Sequence, residues 1–108
     1  MLRMIIVPSI TVYQTDMIKS FKHKGLKKFF ETGSTAGVNA MQAPKIATRL
    51  EVLNRAVKIE NVDIPGFFLH PLTGNRNGVW SITVAGNGRI TFELYDGDVY
   101  IVNYEDYH

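Results

Sequence analysis

The dipeptide Asp96-Gly97 sits between two runs that alternate apolar and polar residues, "RITFELY" and "DVYIVNYED". Asp-Gly is a strong signal for a two-residue hairpin, because both turn positions need a positive φ that these residues tolerate. The turn sets a register. With Tyr95 opposite Asp98, Leu94 meets Val99, Phe92 meets Ile101 and Ile90 meets Asn103, which makes one mostly apolar face. The other face pairs Glu93 with Tyr100, Thr91 with Val102 and Arg89 with Tyr104. Carried past Tyr104, the alternation puts Asp106 and His108 on this second face with Arg89, and turns Glu105 and Tyr107 back toward the first.

The same parity reaches the preceding strand, "VWSITV". A two-residue Gly86-Asn87 loop would set Val84 opposite Arg89 and mix the faces. A three-residue loop, Gly86 to Gly88, sets Val84 opposite Ile90, Ile82 opposite Phe92 and Trp80 opposite Leu94, and is the register expected. Trp80 then belongs to the core.

Ahead of these strands lie two helical patterns. "KGLKKFFETG" groups Leu26, Phe29 and Phe30 on one face and ends at Gly33, a natural helix stop. Pro44 suits the first turn of a second helix, in which Ile46, Leu50, Leu53 and Val57 form one stripe, with Lys45, Arg49 and Glu51 off it. "MIKSF" from Met17 reads as a first strand. Residues 1–16, whose alternation is interrupted by Pro8, are a separate extension of unassigned role. The expected architecture is α+β, with 17–108 as one domain in which two helices pack on one face of a twisted, mainly antiparallel sheet.

At 108 residues and 45% hydrophobic content the chain builds one small core. It has no cysteine, which excludes disulfides and thiolate metal sites and points to the cytoplasm. Its three histidines have no metal-ligand spacing, so neither a metal nor a cofactor is expected. No apolar run is long enough to cross a membrane. The net charge of +2 suits a nucleic-acid partner, and the basic residues concentrate at Lys19, Lys22, Lys24, Lys27 and Lys28. A solvated helix face explains such a cluster equally simply.

The second sheet face carries the chemistry. Arg89 suits a phosphate, or a cation–π contact with Tyr104. His70, in "LHPLTG", is able to serve as acid or base near neutral pH, although a histidine before a proline is often a turn residue. Arg76, in the polar "GNRNG" loop, is either an idle surface arginine or a second phosphate contact. His23, among the lysines, reads as surface. A base, an acid and a cation on one face match phosphodiester transfer. RNA brings its own nucleophile, the 2′-hydroxyl, so that chemistry requires no metal.

The segments "MIKSFKHKGLKKFFETG", "LHPLTGNRNGVWSITV", "GRITFELYDGD" and "NYEDYH" resemble the HigB branch of the RelE/ParE toxin superfamily, over Met17 to His108. The resemblance implies a compact α+β fold similar to small microbial ribonucleases. It implies an endoribonuclease that cleaves translated mRNA in the ribosomal A site, and a helix-turn-helix, HigA-like antitoxin as partner. By it, His70, Asp106, Tyr107 and His108 are the catalytic set and Arg89 holds phosphate; the residues themselves add Arg76 as a second phosphate contact and Lys24, Lys27 and Lys28 as RNA contacts. The family places the equivalent of Tyr107 in the active site, against the register above; a β-bulge would reconcile the two. Members often carry lysine where Thr73 stands, and tryptophan where Gly88 stands. The alternative is a gyrase-directed toxin of the same superfamily that acts by protein binding alone.

Overall fold

The structure is a computed structural model that describes residues 2–7, 10–15 and 17–106. Strands β1 (Leu2–Val7) and β2 (Ile10–Thr15) pair antiparallel as a two-stranded sheet of their own. They occupy the stretch read as an extension. Helix α1 (Lys24–Thr32) and helix α2 (Ala43–Arg55) follow. A four-stranded antiparallel sheet closes the chain in the order β3 (His70–Pro71), β4 (Trp80–Ala85), β5 (Gly88–Tyr95) and β6 (Asp98–Asp106). This is the α+β arrangement expected.

The helices begin and end where their termini are satisfied. His23 caps α1: its Nδ1 accepts from the Leu26 amide at 3.0 Å. That gives this histidine a structural role beyond the surface position expected of it. Gly33, at φ 80°, ends α1 in the left-handed conformation and donates its amide to the Phe29 carbonyl. Pro44 lies in the first turn of α2. Leu26 from α1 and Ile46, Leu50 and Leu53 from α2 meet Ile82, Val84, Ile90, Phe92, Val99 and Val102 from the sheet in one buried cluster. Trp80 is half-buried against it.

Two positions on α2 differ from the stripe. Val57 lies beyond the helix and is exposed. Arg49 is buried: its Nε donates to the Thr83 carbonyl at 2.7 Å and its guanidinium stacks on Phe67, 4.4 Å from the ring centroid. Burial lowers its pKa, and the aromatic face and the carbonyl stand in for lost water.

The segment expected as a first strand makes two isolated parallel bridges to β6, Ile18 with Val99 and Phe21 with Val102. Asn54, fully buried on α2, holds its start: Oδ1 accepts the amides of Met17 at 2.9 Å and Ile18 at 3.2 Å.

Two bulges decide which way the sheet residues point. The Gly86-Asn87 turn has two residues, with Ala85 paired to Gly88, so the three-residue loop is not formed. Parity is restored by a register shift between Thr83 and Ala85, so that Ile82 pairs with Ile90 and Trp80 with Phe92. The core face is the one expected; the partners along it are shifted. At the Asp96-Gly97 turn both φ angles are positive, 49° and 79°. The pairs Tyr95–Asp98, Leu94–Val99 and Glu93–Tyr100 form as read from the sequence. Beyond them β6 bulges at Ile101, whose φ is 57°, and Thr91 pairs with Asn103 rather than Val102. From there every residue of β6 changes face. Val102 is buried in the core, Tyr104 pairs with Ile90, and Glu105 pairs with Arg89.

Candidate active site

The open face of the sheet is built from two cross-strand rows. Directly opposed residues point the same way, so His70, Ser81, Thr91 and Asn103 share one row, and Thr83, Arg89 and Glu105 the next. Ser81 and Thr91 are buried even though they lie opposite the core side. The β3–β4 connection folds toward them, closed by the Leu72 amide on the Val79 carbonyl at 2.8 Å. Between that connection and the strands lies a cleft of about 230 Å³, walled by Asn75 and Arg76 on one side and Thr91, Asn103 and Glu105 on the other.

Glu105 is the centre of this cleft, and the sequence register had turned it inward. Arg76 grips its carboxylate with both terminal nitrogens, Nη1 to Oε1 at 2.9 Å and Nη2 to Oε2 at 2.5 Å. Thr91 Oγ1 donates to Oε2 at 3.0 Å and Asn103 Nδ2 at 3.5 Å. The Arg76 hydrogen bond, helped by that of Thr91, lowers the Glu105 pKa against the opposing effect of burial. No motif announced Glu105. Its role follows from the bulge at Ile101, and a β-branched residue at positive φ carries no sequence flag.

His70 stands exposed on the edge strand. Its Nδ1 lies 3.0 Å from the Phe68 carbonyl. A carbonyl only accepts, so this contact needs the proton on Nδ1 and leaves the lone pair of the neutral ring on Nε2. Arg89 folds toward the β4–β5 turn, where Nη1 donates to the Gly86 carbonyl at 3.3 Å.

Tyr104 does not stack on Arg89 across the strands. It lies on the helix side, with its ring edge-on to His23 at 6.2 Å between centroids. A Cβ on Gly88 would collide with the Tyr104 hydroxyl, so this position stays glycine while that tyrosine packs here. Burial raises the Tyr104 pKa, and the charge of Asp106 adds to the shift. Asp106 is exposed, pairs with Gly88, and follows Tyr104 in the alternation rather than Arg89.

Tyr107 and His108 lie outside the described residues. The count that turned Tyr107 inward assumed a strand without a bulge, and that premise does not hold. Lys24, Lys27 and Lys28 are exposed along α1. Among the described residues no three His, Cys, Asp or Glu side chains cluster closely enough to hold a metal ion, and no helix is long and apolar enough to cross a membrane.

Two comparisons bear on this site. A family model described as the RelE-like toxin of type II toxin–antitoxin system HigB matches residues 19–108. Endoribonuclease HigB of Proteus vulgaris is 54% identical over 92 residues, which span 85% of this chain and 100% of that protein.

Proposed function

This chain belongs to the HigB-like toxins of type II toxin–antitoxin systems, and from that premise we propose that it is a cytoplasmic endoribonuclease that cuts mRNA during translation. The observation that carries the reading is the match, at 54% identity, to the whole of a protein named as an endoribonuclease. Family membership makes an antitoxin its partner; in our reading that partner is a helix-turn-helix protein.

The chemistry we infer needs no group beyond the chain and the RNA. The 2′-oxygen bonds to phosphorus as the bond from phosphorus to the 5′-oxygen breaks. A base takes the 2′-hydroxyl proton and an acid supplies one to the leaving oxygen. His70 and His108 divide these two tasks. The free Nε2 lone pair suits His70 to the base role, and its exposure lets substrate reach it. Asp106, on the Tyr104 side of β6, orients or tunes His108 rather than His70, and Tyr107 completes the set. Arg89 faces the phosphate charge, and Arg76, held by Glu105, adds positive charge nearby rather than a two-pronged phosphate contact. Lys24, Lys27 and Lys28 lead the toxin onto ribosomal RNA.

The test is removal of His108, or its replacement as His108→Gln, in the full chain. Toe-printing and RNA sequencing after brief induction are expected to show loss of mRNA cleavage, by about a hundredfold or more for an acid–base group, with antitoxin binding retained. Parent-like cleavage by the variants would remove His108 from catalysis. Growth arrest by the parent without any cut mRNA would instead favour the toxin that acts by protein binding.

A further inference from the structure

Four donors from three elements converge on a single carboxylate on the sheet face that carries His70 and Arg89. We propose that Glu105 is a positioning residue of the nuclease site, which ties the His70-bearing connection to the strand that carries Asp106. The inference rests on the nuclease reading above.

Geometry separates this role from that of a base. Oε2 of Glu105 already receives Arg76, Thr91 and Asn103, and Oε1 receives the second Arg76 nitrogen. A carboxylate so fully engaged is a poor proton acceptor but a good anchor. The anchored parts are the informative ones. Arg76 belongs to the same β3–β4 connection that His70 begins, so its grip on Glu105 draws that connection down onto the sheet. Glu105 immediately precedes Asp106 on β6, and Asn103 and Thr91 fasten it to its own strand and to β5. The lowered pKa keeps the carboxylate ionised throughout the pH range in which histidines work.

Charge gives a second consequence. Lys22, Arg76, Glu93 and Glu105 line the cleft, so its formal charges cancel. Arg89 stands directly across from Glu105, and His70 lies two strands from Thr91, about 10 Å at ordinary strand spacing. Neutralising Glu105 leaves a net positive cleft and removes the anion that Arg76 grips, so the connection loses its hold on the sheet.

The experiment is single-turnover cleavage on translating ribosomes over a range of pH, with melting temperature and antitoxin binding measured alongside. Glu105→Gln is expected to lower the maximal rate about tenfold, as loss of orientation does, while the half-saturating ribosome concentration stays within about twofold. The double variant Glu105→Gln, Arg76→Ala restores the neutrality of the cleft but not the anchor, so the rate is expected to stay low. Glu105→Asp keeps the charge but withdraws it by one methylene, and is expected to lose rate while the half-saturating ribosome concentration again holds. A parent-like rate in both single variants overturns the proposal. So does a rate loss that tracks melting temperature alone, or one matched by an equal rise in the half-saturating ribosome concentration. His108→Gln is the control that separates the two levels: if it cleaves like the parent, the catalytic reading falls, whatever Glu105 does.

Discussion

Asn54→Ala is expected to be the most destabilising single truncation of a polar side chain in this fold. Asn54 is fully buried, and its Oδ1 accepts two backbone amides, Met17 at 2.9 Å and Ile18 at 3.2 Å. Alanine removes the acceptor and leaves both donors behind. Ile18 is buried, so its amide loses its partner out of reach of water, at a cost of about 1–3 kcal/mol. Met17 is half-buried, and water offsets part of its loss. The cavity left by the amide adds to both. The sum is about 3 kcal/mol, which for a domain of this size lowers the melting temperature by roughly 12–20 °C. Urea unfolding measures it as a change in midpoint at constant slope. Asn39→Ala calibrates the scale, since it removes one exposed bond to the Met41 amide at 3.0 Å and should cost under about 1 kcal/mol. A loss below about 1 kcal/mol for Asn54→Ala would refute the argument that this contact seats the segment beside β6.

Three further outcomes are expected. A chain that starts at Met17 should melt within about 5 °C of the parent and stay toxic, because β1 and β2 form their own sheet and the freed amine of Met17 still donates to Asn54; calorimetry and induction assays check this. Neutralising Lys24, Lys27 and Lys28 together should weaken ribosome association and flatten its salt dependence, whereas unchanged binding across a salt titration would return them to a solvated surface. Glu105 has a folded pKa below its usual 4.5, so it stabilises the fold above that pH and the contribution is lost as the pH falls through the folded value. Stability of Glu105→Gln should therefore fall less steeply below about pH 4.5 than that of the parent, as read by urea midpoints; parallel curves would contradict it.

Much that rests on local pattern was legible in the sequence, though the Gly86-Asn87 turn was not. Positive φ at Asp96 and Gly97 is a property of the dipeptide itself, so the turn and its first three pairs followed directly. The left-handed stop at Gly33 and the early Pro44 are likewise local, and the period of the apolar residues was enough to find Ile46, Leu50 and Leu53. Arg89 came out on the open face because β5 keeps the parity of the Asp96-Gly97 turn, whereas the face of His70 is decided by the pairing of β3 with β4. The remainder of the site depends on a contact with no local trace. Ile101, a β-branched residue, is held at φ 57° with its amide on the Ser20 hydroxyl at 2.8 Å, and the next amide, Val102, reaches the Ser20 carbonyl at 3.1 Å. That partner lies 81 positions earlier in the chain. Only once the Met17–Phe21 segment is seated against β6 does the strand gain a residue. The gain turns Tyr104 to the helices and Glu105 to Arg76. Alternation is a rule within one strand, and it cannot register a bulge whose hydrogen bonds come from elsewhere in the fold.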